Sequence, residues 1–269
     1  MANPRHLYKF RHFEDDGRHL SILSKDEIFF PSPGRFNDPF DCRIPLRYDD
    51  GTRDEVVGHW LEYLDTERTE LSPVQRKLVA EDIFDSGRFQ TLDGIKMAKL
   101  VSEEFAQKRM GVFSLSTNAA NILMWSHYSH SHTGFSVGFL TQDIRNMCLT
   151  ISKTTNQLMV LLPVSYNSQY PDLNAYRISN LDRMKGQLLS KASDWTYEGE
   201  YRILLQNGAD NLVRIPYDLV RRVILGCQVT NSNRQKLIDV LRSRRDKPVL
   251  YQAVKADRSF SLCFKRIVY

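Results

Sequence analysis

From Gly111 onward the chain is a succession of short runs rich in β-branched and aromatic residues, most of them too brief for a helix. That texture predicts strands at Gly111–Ser116, Gly134–Phe139, Leu161–Tyr166, Tyr201–Leu205, Leu212–Ile215, Arg222–Gly226, Val249–Val254 and Ser259–Val268. Two earlier strands are expected at Leu7–Arg11 and at Glu27–Phe30, the second stopped by Pro31-Ser32-Pro33-Gly34. Residues 53–109 read as helical instead. Val56, Val57, Trp60, Leu61 and Leu64 recur at helical spacing, and Ser72-Pro73 is an N-cap followed by proline at the first helical position. Leu92–Arg109 supplies a third helix with Ile95, Leu100, Val101 and Phe105 inward. Further helices are expected at Arg18–Ser24, Asn121–Tyr128, within Asp172–Lys191 and at Asn231–Ser243. The expected fold class is α+β, one domain over residues 1–269 with a mixed or antiparallel β-sheet core and a helical insertion at about 53–109.

Composition narrows the function classes. A chain of 269 residues, 42% hydrophobic, is long enough to bury a core without disulfide or metal staples. Cys42, Cys148, Cys227 and Cys263 never form a C-x-x-C pair, which argues against zinc ribbons and disulfide scaffolds. No apolar run approaches the roughly 18 residues of a membrane span, and the N-terminus shows no apolar leader. A cytoplasmic protein with no membrane partner is therefore expected. The net charge of +5 is uneven: residues 180–269 hold 17 basic and 9 acidic side chains. That basic third, with Arg242, Arg244, Arg245 and Lys247 near a helix end, invites a nucleic acid, although cations also suit a helix C-terminus.

Three polar-aromatic clusters could carry chemistry. In Tyr8-Lys9-Phe10-Arg11, strand geometry puts Lys9 and Arg11 on one face, as a clamp for phosphate or carboxylate or as the protective charge of an edge strand. Around Met124-Trp125-Ser126-His127-Tyr128, three histidines (His127, His130, His132) suggest a metal, yet no further ligand stands nearby at zinc spacing, so no metal is expected. His127 reads as a ligand-binding or a structural histidine. In Trp195-Thr196-Tyr197-Glu198-Gly199-Glu200-Tyr201-Arg202, Glu198, Glu200 and Arg202 share a strand face. A carboxylate beside arginine stays ionised and can bond a ribose hydroxyl or stabilise a developing cation, or the three form a surface ion-pair ladder. The turn Phe36-Asn37-Asp38-Pro39-Phe40-Asp41 is anchored, on this reading, by its two aromatics. Phosphate-loop, dinucleotide-fingerprint, nucleophile-elbow and zincin motifs are all absent.

These motifs, in this order, resemble a bacterial family known as domain of unknown function 2971: Leu7–Arg11, Ile28–Phe30 into Phe36–Asp41, Met124–Tyr128, His132-x-Gly134-Phe135-x-x-Gly138-Phe139, and Trp195 to Arg202. At the level of layout the chain is also similar to the ADP-ribosyltransferase superfamily. That second resemblance implies an enzyme consuming NAD as substrate, by ADP-ribosyl transfer or glycohydrolysis, in toxin or phage-defence biology. It gives Lys9 or Arg11 the hold on the dinucleotide. Ser114 or Ser116, or else His127 or Tyr128, would pack near the nicotinamide ribose. Glu200, or alternatively Glu198, would stabilise the oxocarbenium-like centre. The expected catalytic residues are thus Glu200, Glu198 and His127. The expected nucleotide-binding residues are Tyr8, Lys9, Arg11, Asn37, Asp38, Ser114, Ser116, Trp125, Tyr128 and Arg202. Two alternatives stand beside this reading: a nucleic-acid-linked enzyme or binder acting in bacterial conflict, and a non-catalytic ligand sensor.

Overall fold

The computed structural model describes residues 3–14, 18–87 and 91–269. Its centre is a mixed eight-stranded sheet. In spatial order the strands are β12 (Leu262–Ile267), β11 (Val249–Lys255), β10 (Val220–Leu225), β4 (Phe135–Leu140), β1 (His6–Arg11), β3 (Met110–Ser116), β8 (Glu200–Gln206) and β5 (Met159–Pro163). Every neighbouring pair is antiparallel except β10 and β11, which run parallel and are joined by helix α8 (Asn231–Ser243). The α+β expectation is met.

The two faces of the sheet are covered differently. On one face Leu7, Phe113, Val137, Ile203, Val223 and Leu250 enter the main core with Leu237 and Leu241 of α8. Helix α1 (Ser21–Ser24), the strand pair β2 (Glu27–Phe30) and β9 (Asn211–Arg214), and α6 (Thr141–Thr155) contribute to the same core. Tyr8 and Phe10 point to the opposite face, where they meet Trp125 of α5 (Ile122–Tyr128). Further along that face, Val112 and Leu204 pack with Leu188 of α7 (Asn180–Leu189) and with Cys42.

Helices α2 (Arg53–Glu67), α3 (Pro73–Asp85) and α4 (Leu92–Arg109) form the anticipated helical block. Thr52 and Ser72 cap α2 and α3 through reciprocal capping boxes. Val56, Trp60 and Leu64 of α2 bury against Ala80 of α3 in a separate small core. In α4, Ile95 is partly buried but Leu100 is exposed, contrary to its expected inward placement. The side chains of Val101 and Phe105 lie outside the described residues.

Several boundaries differ from expectation for identifiable reasons. The expected strand Leu161–Tyr166 is two elements, because the chain leaves the main sheet after Pro163 and starts β6 (Ser165–Asn167), which pairs in parallel with β7 (Ser190–Ala192). The helix expected within Asp172–Lys191 begins only at Asn180, where the Ser179 hydroxyl accepts the Asp182 amide at 3.1 Å. Helix α6 was not expected. Its four threonines disfavour helix, yet Ile144, Met147, Cys148 and Ile151 repeat at helical spacing, and Asn156 ends it in the left-handed region.

Candidate functional site

Antiparallel pairing of β3 with β8 sets Ser114 opposite Arg202 and Ser116 opposite Glu200. All four side chains project from the face shared with Val112 and Leu204. Glu198 is not on the strand, which corrects the expected three-residue strand face. It ends a 3-10 turn, Ser193–Glu198, and Gly199 then adopts a left-handed conformation with φ +51°. A Cβ at Gly199 would stand 2.3 Å from Thr117 Oγ1, so the turn requires glycine on two counts. The Ser116 hydroxyl donates to the Glu198 carbonyl at 2.6 Å and pins the turn to β3.

The result is a buried charge network. Arg202, with 0% of its surface exposed, donates from Nε to Glu200 Oε1 at 2.9 Å and from Nη2 to Asp41 Oδ1 and Oδ2 at 2.8 and 2.7 Å. Its Nη1 donates to the Leu188 carbonyl at 2.6 Å. Lys191, in β7, reaches Glu198 Oε2 at 2.5 Å, Glu200 Oε2 at 3.2 Å and Asp41 Oδ2 at 3.4 Å. The Tyr128 hydroxyl donates to Glu198 Oε1 at 2.6 Å, and the Tyr166 hydroxyl accepts the Glu200 amide at 2.8 Å. Three carboxylates thus face two cations in a site nearly closed to water. One proton on a carboxylate would neutralise it.

The two glutamates lean in opposite directions. Burial disfavours charge on both. At Glu200 the adjacent Arg202 and Lys191 overcome that and hold the pKa down to about 2. At Glu198 burial, reinforced by the Glu200 charge, raises the pKa against the pull of Lys191. Burial also lowers the tendency of Lys191 to stay charged, but Glu200, Asp41 and Glu198 outweigh it and the pKa rises. Tyr128 is raised by burial and by Glu198, so its hydroxyl stays a donor. The two carboxyls thus differ in setting: Arg202 and Lys191 hold Glu200 as an anion, whereas burial and the Glu200 charge push Glu198 above the ordinary glutamate value.

Above this pair lies an aromatic rim. Lys191 Nζ sits 5.1 Å from the Trp195 ring centre, and Trp195 and Tyr197 are 6.0 Å apart. Exposed His127 flanks Tyr197 at 6.3 Å. Asn121 joins the rim by donating to the Tyr197 carbonyl at 2.6 Å.

The structure therefore brings together Glu198, Glu200, Arg202, Ser114, Ser116 and Tyr128, with His127 at the edge. The other expected residues border this network without bonding its carboxylates. Lys9 and Arg11 do share a face, but that face is covered: both lie over the Phe113 ring, at 4.7 and 5.9 Å, and Lys9 Nζ donates to the Ser114 carbonyl at 2.8 Å. Burial, with help from Arg11, pushes the Lys9 pKa well down, while Glu200 and Glu198 pull it up. Trp125 is wholly buried, donates its indole N–H to the Ala119 carbonyl at 2.7 Å and meets Phe10 edge-on at 5.1 Å. Tyr8 is buried in the same cluster. Asp38 accepts the Phe40 amide within its own turn at 2.9 Å, and Asn37 is exposed. Of the two aromatics, Phe36 anchors that turn, under Arg202 at 5.4 Å, whereas Phe40 is 63% exposed, which corrects the two-anchor expectation.

Asp41 and Lys191 are the site residues that sequence reasoning missed. Asp41 closes a motif read only as a turn, and Lys191 follows Leu188-Leu189-Ser190, an apolar setting in which a lone lysine needs a partner. The basic C-terminal patch also shrinks. Arg244 is buried between Asp26 and Asp246, at 2.7 and 2.8 Å, and Lys247 donates to the Arg242 and Arg244 carbonyls at the end of α8.

A family model described as protein of unknown function (DUF2971) matches residues 124–203. That segment is similar to the DUF2971 family. It runs from Met124 in α5 to Ile203 in β8, so it contains Tyr128, Lys191, Glu198, Glu200 and Arg202, while Asp41, Ser114 and Ser116 precede it. No curated protein and no solved structure matches the chain. The ADP-ribosyltransferase layout rests on resemblance alone.

Proposed function

We propose that the protein cleaves or transfers at the N-glycosidic bond of a nicotinamide dinucleotide, with Glu200 and Glu198 as the working carboxyls. One observation carries this reading: two buried carboxyls share Lys191 Nζ, at 2.5 and 3.2 Å, beneath an aromatic rim. As nicotinamide leaves, positive charge grows on the ribose. An anionic Glu200, held in place by Arg202, stabilises that charge. Glu198 and Tyr128 supply the group that hands a proton to, or takes one from, the acceptor hydroxyl. Trp195, Tyr197 and His127 offer faces for a stacked ring. The Ser193–Glu198 turn carries both rim aromatics and Glu198.

The test is nicotinamide release from NAD by the purified protein, alone and with cell extract as acceptor source. Wild type releases nicotinamide, and Glu200→Gln loses at least ~100-fold, the scale on which one electrostatic group at a transition state counts. No release by wild type in either condition overturns the proposal. Thermal stabilisation by NAD without turnover would instead identify a ligand sensor.

A second reading, contact with nucleic acid, is favoured by a cleft of about 440 Å³ lined in part by Asn231, Arg234, Gln252 and Lys255. Binding there weakens steeply as salt rises, and a flat salt response removes the idea.

A further inference from the structure

Directly after β1 the chain places two imidazoles and a carboxylate at one point. Phe13 packs on Phe135 at 5.1 Å and Leu20 packs against the main core, which fixes the backbone on both sides of the group. His12 and Glu14 flank Phe13 and so share the opposite side. His19, in the 3-10 turn Arg18–Leu20, closes the set. His12 Nε2 and His19 Nε2 each stand 3.4 Å from Glu14 Oε1, and one ligand atom from each of the three residues lies within 4.8 Å of the others.

Those separations fit a shared ion better than direct hydrogen bonds. A charge-assisted N–H to carboxylate bond closes to roughly 2.7–2.9 Å. Ligand atoms about 2.0–2.1 Å from a tetrahedral zinc are about 3.3 Å from one another. The imidazole orientation agrees. His19 Nδ1 is 3.1 Å from the His12 carbonyl, which can only accept, so Nδ1 carries the proton. In the neutral ring Nε2 then presents its lone pair toward Glu14, itself an acceptor. Two acceptors facing each other call for a cation between them, and a ring N–H held by a backbone carbonyl is the usual support of a metal-bound histidine.

We propose that His12, Glu14 and His19 bind a divalent transition-metal ion of the zinc class. Two histidines, one carboxylate and an open fourth position form a ligand set that leaves room for water or substrate. Arg11 acts electrostatically on both Glu14 and His19. The site is independent of the glutamate pair: its success or failure says nothing about nicotinamide release.

The experiment uses untagged full-length protein freed of metal by chelator and dialysis. Zn²⁺ is titrated calorimetrically, and Co²⁺ is followed by its visible absorption. The expected result is one equivalent bound, with intense low-symmetry Co²⁺ bands. His19→Gln and Glu14→Gln each weaken binding by at least ~100-fold, the upper end of what even outer partners cost. Both side chains are partly exposed, and unchanged melting of the metal-free variants shows that folding is intact. No binding by wild type, or equal affinity in folded His19→Gln, overturns the proposal.

Discussion

Substituting Arg202→Met removes the cation that holds Asp41, Glu200 and the Leu188 carbonyl where solvent does not reach. Methionine recovers much of the apolar volume, so the perturbation is chiefly the loss of charge and donors. Lys191 remains, but it already serves three carboxylates, at 2.5, 3.2 and 3.4 Å. Taking one member from a buried ion network leaves uncompensated charge and costs about 3–5 kcal/mol. At about 2–4 °C per kcal/mol this lowers the melting temperature by roughly 6–20 °C. Urea unfolding measures it as a reduced midpoint at unchanged slope. A companion, Asp41→Leu with Glu200→Leu and Arg202→Met, regains most of the loss, because it removes Arg202 together with both carboxylates it pairs, leaves Lys191 paired with Glu198, and an apolar replacement of a buried ionic triad is often neutral or stabilising. A loss below ~1 kcal/mol in Arg202→Met would mean that these carboxylates are not held charged and dry.

Other outcomes follow from the same physics. Glu200 ionises near pH 2 in the folded state, below its ordinary value of 4.5, so its stabilisation is present above that ordinary value and is lost as pH falls toward 2. Glu200→Gln flattens this acid limb in a pH series of unfolding curves. Tyr128→Phe deletes the donor to Glu198 Oε1, costs roughly 1–3 kcal/mol, and raises the Glu198 pKa further, read by carboxyl NMR. His59, ringed by Tyr48, Trp60 and Tyr176 and approached by Arg183 at 3.0 Å, is pushed down to about 3 by burial and then by Arg183. Its neutral form stabilises the fold above about pH 6.5, and that contribution is lost as pH falls toward 3; His59→Gln removes this dependence in the same series.

The sheet was legible because its strands carry their own period and are bounded by turn residues. The capping boxes of α2 and α3 were written locally, as Thr52 with Glu55 and Ser72 with Gln75. Helix α6 escaped because threonine-rich composition hid an apolar stripe that becomes evident only at a spacing of three and four. The site divided in the same way. Glu200 and Arg202 alternate on one strand, so their pairing could be read from period alone. Asp41 joins Arg202 across 161 positions, and Lys191 is set by a helix end and a short strand, neither of which local spacing encodes. Lys9 and Arg11 show the converse: their shared face was legible, but the Phe113 ring that covers it belongs to another strand.

The buried surroundings push the two neighbouring carboxyls in opposite directions, Glu198 above the ordinary glutamate value and Glu200 down to about 2. Titration of ¹³C-labelled glutamate side chains, assigned with Glu198→Gln and Glu200→Gln, measures this directly. One carboxyl is expected to titrate near pH 2 and its neighbour above the ordinary glutamate value of 4.5. Two carboxyls titrating together near that ordinary value would contradict it.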